Sequence, residues 1–189
     1  MSNFYVVGEI GPTMATSFFR GAAGRFITDV VINSQGGDIG LVYGMFDVIK
    51  FQKLHTHVVG LASSAAAVLL QAGEFRTMTN SSLLLFHHPE AENVSDQEFR
   101  MYTQLVEMVQ QRAKMHIMEA HGLFDNKFIN ANRALELGLI DEIAEDANVM
   151  RWIDGESDRD NGSEKSSELP CGLREGSTGE SETRPEDAA

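Results

Sequence analysis

The chain has 189 residues, a formal net charge of −13 at pH 7 and one cysteine, Cys171. This acidic balance argues against nucleic-acid binding, which needs a basic face. A lone cysteine excludes an intramolecular disulfide and fits a reducing compartment. The N-terminal residues lack the basic and apolar regions of a signal peptide, and no apolar run approaches membrane-spanning length. We therefore expect a cytoplasmic protein that binds neither nucleic acid nor a membrane.

Strands and helices alternate along the first part of the chain. The apolar and β-branched runs predict strands over residues 4–8, 29–32, 56–60 and 83–86. The helical spacing of apolar residues predicts helices over residues 11–23, 39–52, 65–72 and 95–120. Ser95 and Glu98 have the spacing of a capping box for the last of these helices. The alternation, with near-continuous apolar strands, is typical of an α/β fold built on a parallel sheet.

The composition changes near residue 148, where Gly, Ser, Glu, Asp and Pro become dominant. Residues 148–189 contain eleven acids and five bases, a net charge of −6, which leaves −7 for the rest of the chain. Such a segment cannot bury enough apolar surface to offset the entropy lost on ordering. We therefore predict one folded domain, residues 1–147, followed by a disordered acidic tail, residues 148–189.

Three segments carry residues suited to catalysis, each at the end of a predicted strand. In the first segment, the strand leads into the turn Gly36-Gly37. In the second, it leads into Ser63-Ser64, which precede an alanine-rich helix, and in the third the strand ends at His87. A serine at a strand-to-helix junction lies where helix amides point outward, which suits a developing negative charge. Taken alone, a serine at this position is more often a helix N-cap.

In this order, the three segments resemble motifs of the Clp protease family of serine peptidases. A fourth segment, residues 134–142 (Ala-Leu-Glu-Leu-Gly-Leu-Ile-Asp-Glu), resembles a further motif of that family. The resemblance covers about residues 4–145 and implies an α/β fold of the ClpP/crotonase type, with repeated β-β-α units. The chain resembles a compact, divergent member of the family, of the kind that a phage could encode.

The resemblance implies a self-compartmentalising serine endopeptidase that hydrolyses peptide bonds without a cofactor. It implies a homo-oligomeric ring, a peptide or unfolded-protein substrate, and an AAA+ unfoldase as partner. By the same resemblance Ser64 is the nucleophile, with Ser63 as the fallback, and His87 is the base. On a strand, neighbouring side chains point to opposite faces, so only one of His87 and His88 can face Ser64.

The third member of the triad is where this chain departs from the family pattern. Counting back from the fourth motif places the family's acid on Asn126, and Asp125 is its neighbour. A one-residue shift would let Asp125 orient His87, which we favour. A Ser-His-Asn arrangement with Asn126 and a degenerate site are the other readings. Asp→Asn in a serine triad can cost about 10⁴ in rate by favouring the wrong tautomer.

The resemblance also assigns the oxyanion hole and the substrate-binding backbone. The backbone N–H groups of Gly37 and Ala65 would stabilise the oxyanion, and amides do this whatever their side chains. Gly36, Asp38 and Ile39 would pair with an extended peptide. A plain tight turn is the simpler interpretation of the two glycines.

Two other functions remain open. An inactive scaffold subunit of a mixed ring fits Asn126, although the presence of both Ser64 and His87 argues against it. A crotonase-like acyl-CoA enzyme shares the fold but needs no Ser-His pair. His55 and His57 share one strand face, yet no carboxylate or cysteine partner is evident near them in the sequence, so we predict no metal site.

Overall fold

The computed structural model describes residues 2–88, 95–145 and 152, apart from the side chain of residue 98. The predicted tail, apart from Trp152, and the proline after His88 lie outside the described residues. So does the Glu98 half of the predicted capping box, whereas the Ser95 carbonyl accepts a hydrogen bond from Phe99 N at 2.9 Å. None of the described helices is both long and apolar enough to cross a bilayer.

The described residues form seven strands and six helices. The strands are β1 Ser2–Ile10, β2 Ile27–Gly37, β3 His55–Ser63, β4 Arg76–Thr79, β5 Leu83–His87, β6 Asp125–Asn130 and β7 Glu142–Ala144. The helices are α1 Pro12–Ala23, α2 Ile39–Gln52, α3 Ala65–Leu70, α4 Asp96–Ala113, α5 Ile117–Leu123 and α6 Ala131–Glu136. Strands and helices alternate as far as α3, and a β-β-α order follows in β4, β5 and α4.

One sheet organises these elements. Strands β1, β2, β3, β4 and β7 lie side by side and are parallel, while β5 runs parallel to β3 and antiparallel to β6. The central strands bury apolar side chains against the helices, as at Ile32, Val58 and Leu84, all of them fully buried. Burial on both faces explains their near-continuous apolar sequences. The predicted α/β fold with a parallel sheet is confirmed.

The helix predicted over residues 95–120 is two helices. Helix α4 ends at Ala113, and Lys114 takes a left-handed conformation with φ of 55°. The imidazole of His116 then accepts from Met118 N at 3.2 Å and caps α5. The apolar spacing continues across this break because both helices bury the same kind of face, as Val109 and Ala120 do. Periodicity alone therefore could not reveal the break.

Strand β3 changes its partner halfway along its length. Its first half pairs with β4 and its second half with β5, and Gly60, between the two halves, has φ of 101°. The hydroxyl of Ser82, which is fully buried, accepts from Gly60 N at 2.8 Å and donates to the Val58 carbonyl at 3.1 Å. Thr79 Oγ1 also contacts this hydroxyl. This change of partner places the end of β5 beside the end of β3.

A buried arginine connects β4 to the segment before β7. The Arg76 guanidinium is 3% exposed and binds both carboxylate oxygens of Asp141, at 3.0 Å from Nε and 2.7 Å from the terminal nitrogen. It also donates to Gln71 Oε1 and to the Gly138 carbonyl. Burial alone would raise the pKa of Asp141, but the hydrogen bonds from Arg76 hold it below its ordinary value. The bidentate pair therefore contains an ionised carboxylate.

Replacing this carboxylate is expected to destabilise the fold. Asp141→Asn leaves the buried guanidinium of Arg76 without its counter-ion and should cost about 3 kcal/mol of unfolding free energy in a urea titration. A depressed folded-state pKa stabilises the fold above the unfolded pKa, and this stabilisation is lost as pH falls through the folded value. As pH falls into the acid range, the free energy of unfolding should therefore decrease less steeply in Asp141→Asn than in the native chain. The exposed Asp47→Asn is the control, and equal losses in both variants would contradict the prediction.

Candidate active site

A cavity of about 370 Å³ lies at the carboxyl ends of the central strands. Such strand ends, where loops lead into helices, are the usual location of binding sites in α/β folds. The cavity is lined by Gly37, Asp38, Ile39, Gly40, Ser64, Ala65, Val68, His87, Met101, Tyr102, Leu105 and Phe124. Six of the residues predicted for the site are therefore on one cavity.

Ser64 lies between β3 and α3 in a rarely populated backbone conformation. Its φ is 56° and its ψ is −127°, which a residue with a side chain adopts only under constraint from its surroundings. The constraint is visible, because Ser64 N donates to the Leu85 carbonyl at 2.7 Å and the Ser64 carbonyl accepts from Ala67 N at 3.0 Å. Its hydroxyl makes no capping hydrogen bond. The N-cap interpretation therefore does not account for this serine, whereas Ser63 is buried and does not line the cavity.

The Gly-Gly turn at the end of β2 lies directly against the nucleophile candidate. A Cβ added to Gly36, whose φ is 100°, would lie 2.7 Å from the Ser63 carbonyl oxygen and 2.9 Å from Ser64 Cβ. On Gly37 it would lie 2.4 Å from the Ile10 carbonyl oxygen. Only glycine allows this close backbone approach. The two amides predicted for the oxyanion hole, those of Gly37 and Ala65, therefore belong to residues on the same cavity wall.

Asp38 and Ile39, predicted to bind the substrate backbone, also begin helix α2. The Asp38 side chain accepts from Leu41 N at 3.1 Å and caps the helix, and Asp38 N donates to the Ile10 carbonyl at 3.0 Å. The capping carboxylate satisfies an otherwise unpaired helix amide. Asp38 therefore has a structural role in positioning the loop, which its sequence position did not reveal.

His87 reaches the same cavity because β5 pairs with the second half of β3. Ser63 is opposite Leu85 in this ladder, so His87 lies just beyond the end of β3. Its Nδ1 is 2.8 Å from the His88 carbonyl oxygen, which can only accept, so Nδ1 carries a proton. In the neutral imidazole, Nε2 is then the free acceptor. Within the described residues, no hydrogen bond joins His87 to the Ser64 hydroxyl.

The two candidates for the third catalytic residue lie beside the cavity rather than on it. Asp125 is opposite His87 in the antiparallel β5–β6 pair. Its carboxylate lies 3.9 Å from His88 Nε2 and 3.8 Å from Lys127 Nζ. Asn126 has φ of 58°. Among the described contacts, neither residue hydrogen-bonds to His87, so the structure brings Ser64 and His87 together without a third side chain.

Comparison with known proteins assigns the chain and its fold to a family. A family model described as Clp protease matches residues 27–147, more than half of the chain. The chain belongs to the Clp protease family. The ATP-dependent Clp protease proteolytic subunit 2 of Streptomyces coelicolor is 34% identical over 129 residues, which cover 60% of this chain and 59% of the relative. The proteolytic subunit 3 of Frankia casuarinae is 31% identical over 143 residues, 68% of this chain and 67% of the relative.

A solved structure shows the same fold. The crystal structure of the ClpP protease catalytic domain from Plasmodium falciparum superposes with a TM-score of 0.69, covering 76% of this chain and 85% of that one. The two are 21% identical in sequence, so this likeness concerns the fold. The match to the Streptomyces coelicolor relative spans 59% of that protein's length.

Tyr102 is a residue of this cavity that the sequence did not single out. It is 6% exposed, lines the cavity, and its hydroxyl has no hydrogen-bond partner among the described residues. Its ring packs 4.9 Å from that of His88 and 5.3 Å from that of Phe124. Burial, with a smaller contribution from the Asp125 charge, raises the pKa of Tyr102 to about 12. Because Tyr102 follows the apolar spacing of α4, its sequence position predicted only a core residue.

A second cluster of ligand-type side chains lies at the opposite end of the sheet. Asp29 at the start of β2 contacts His55 and His57 at the start of β3. These are the two histidines for which the sequence showed no acidic partner. The partner was missed because it comes from a neighbouring strand, 26 positions before His55 along the chain.

The close approach of Gly36 to Ser64 gives a test of the site geometry. Gly36→Ala forces a methyl group into the Ser63 and Ser64 backbone, so labelling of Ser64 by a fluorophosphonate should slow at least about tenfold. The measurement is the labelling rate followed by intact mass. Gly11→Ala is the matched control, because a Cβ there meets nothing within 4 Å. An unchanged rate in folded Gly36→Ala would contradict the described geometry.

Proposed function

We propose that this Clp protease family member is a serine endopeptidase in which Ser64 is the nucleophile and His87 the general base. One observation carries the proposal. Ser64 has a constrained backbone and a hydroxyl free of capping, and it shares a cavity with His87 and the Gly37 and Ala65 backbone. A serine hydroxyl needs an adjacent base to become a useful nucleophile, and His87 is the base on this cavity.

The proposed reaction proceeds through an acyl-enzyme. His87 Nε2 removes the proton of Ser64 Oγ as the oxygen attacks the peptide carbonyl carbon. The N–H groups of Gly37 and Ala65 stabilise the oxyanion of the tetrahedral intermediate. The C–N bond then breaks and the amine leaves with the proton from His87. Water, deprotonated by His87, hydrolyses the ester and restores Ser64.

Asp125 is our proposed third catalytic residue. Its position opposite His87 in the β5–β6 ladder supports this role. In the described conformation, the His88 carbonyl holds the Nδ1 proton, which fixes the tautomer that catalysis needs. A carbonyl dipole stabilises the imidazolium less than a full negative charge does. To act in catalysis, the Asp125 carboxylate must therefore leave its contacts with His88 and Lys127 and accept a hydrogen bond from His87 instead.

The cavity lining and the relatives indicate the substrate and partners we propose. Much of the lining is apolar, including Ile39, Val68, Leu105 and Phe124, and would accept an apolar substrate side chain. Gly36, Asp38 and Ile39 would align an extended peptide or unfolded protein along it. Relatives named as ATP-dependent proteolytic subunits support a homo-oligomeric ring fed by an AAA+ unfoldase.

A catalytically inactive scaffold subunit is the second candidate. The observation that favours it is the pairing of the Asp125 carboxylate with His88 and Lys127 rather than with His87. A site that needs no acid–base chemistry tolerates such a pairing. The two candidates differ in whether Ser64 reacts as an activated nucleophile.

Covalent labelling separates these two functions. A fluorophosphonate should add once to the native chain and to Ser63→Ala, and the adduct should be absent from Ser64→Ala on intact mass. His87→Ala should slow labelling by about 10³-fold or more, because the base is lost. Far-UV circular dichroism confirms that each variant is folded. A folded native chain without an adduct, or an adduct retained in Ser64→Ala, would overturn the assignment.

A second set of variants assigns the third catalytic residue. If the Asp125 carboxylate supplies the negative charge that stabilises the His87 imidazolium, Asp125→Asn should lower the labelling rate by up to about 10⁴. Asn126→Ala should then change the rate little, and Asp47→Asn is the control for charge. A native rate in Asp125→Asn would assign the orientation of His87 to the His88 carbonyl instead. A large loss in Asn126→Ala alone would favour the Ser-His-Asn arrangement.

A further inference from the structure

The histidine–aspartate cluster at the start of β2 and β3 has the geometry of a metal site. His57 Nε2 lies 2.9 Å and His55 Nδ1 3.6 Å from Asp29 Oδ1. One ligand atom from each of the three residues lies within 4.8 Å of the other two. Zinc–ligand bonds of about 2.0–2.1 Å in a tetrahedron separate the ligand atoms by roughly 3.3 Å. Small side-chain adjustments therefore suffice to place one ion among them.

The surroundings of His57 prepare its ring for a metal. It is 4% exposed, and its Nδ1 lies 2.9 Å from Thr77 Oγ1 on β4. In the described structure Nε2 donates to Asp29. In the tautomer with Nδ1–H donating to Thr77, Nε2 becomes free to bind an ion and the ring has the outer hydrogen bond typical of a metal-bound histidine. Asp29 Oδ1 is shared by both imidazoles, which places a carboxylate oxygen between the two ring nitrogens.

The cluster is reachable from solvent on one side and covered on the other. The His55 side chain is 49% exposed and lines an open cavity of about 410 Å³, which gives an ion a path of entry. The indole of Trp152 stacks on the His57 ring, with centroids 4.1 Å apart. Asn3 and Tyr5 hold the Trp152 carbonyl by hydrogen bonds. Trp152 is thus fixed beside the cluster by groups of β1.

We infer that Asp29, His55 and His57 bind one divalent transition-metal ion, for which Zn²⁺ is the best-matched probe. Two imidazoles and one carboxylate suit zinc and its neighbours, while magnesium prefers oxygen ligands alone. In the neutral imidazole, binding moves the proton that His57 Nε2 donates to Asp29 to Nδ1, where Thr77 Oγ1 accepts it, so His57 releases no proton to solvent. Six residues of strand β3 lie between His57 and Ser64, a separation of roughly 20 Å, so the ion takes no part in the reaction at Ser64.

The only tryptophan of the chain gives a readout specific to this cluster. Co²⁺ occupies zinc-type sites and quenches an indole at short range, so it should quench Trp152 fluorescence saturably with a 1:1 stoichiometry. Zn²⁺ should reverse the quenching by competition, and millimolar Mg²⁺ should not. The full chain is used at about pH 8, because Asp29 raises the pKa of His55 and metal binding needs a neutral imidazole.

Two matched variants decide the inference. His55→Asn removes a half-exposed ligand and should weaken Co²⁺ and Zn²⁺ binding at least about 100-fold, while Thr77→Val should weaken it about 10-fold or more. His116→Asn, also at an exposed histidine and compatible with its capping role, should bind as the native chain does. Thermal melts check that the variants are folded. Absence of saturable quenching, or equal quenching in His55→Asn, would leave Asp29 and His57 as a structural ion pair and overturn the inference.

Discussion

The division of β3 between two neighbours is the constraint on which the candidate active site depends. The Ser82 hydroxyl satisfies the backbone amide and carbonyl that this division exposes, at Gly60 and Val58. Because buried backbone groups must find partners, one small polar side chain allows β4 and β5 to share a single strand. The second neighbour is what brings His87 level with Ser64. A sheet in which β4 paired along the whole of β3 would hold the serine and the histidine apart.

The sequence predicted best what local chemistry determines. Helix α2, Ile39–Gln52, has the predicted bounds because the apolar spacing that predicts it is local. Ser64 and His87 lie on one cavity, as the ordered motifs implied. The short strands β4, β6 and β7 were not predicted, since three to six residues carry little periodic signal and form only through pairing. The side chains that surround His87, His55 and Tyr102 come from segments distant along the chain. The spacing of residues in the sequence therefore cannot predict these neighbours.

The two ends of the parallel sheet carry different polar chemistry. At the carboxyl ends, Ser64, His87 and the residues Gly37 and Ala65 line a largely apolar cavity. At the amino ends, an ionised carboxylate and two imidazoles meet beside an indole. The core between them is apolar and close-packed, so each cluster keeps its own solvent environment. One strand, β3, therefore contributes to two sites without coupling their charges.

The backbone of Ser64 has a thermodynamic consequence for the fold. A residue with a side chain held at φ of 56° and ψ of −127° costs about 1–3 kcal/mol. Glycine at this position would release much of that free energy and would also remove the hydroxyl. The stability of the fold and the presence of a hydroxyl on this cavity are therefore opposed at a single residue.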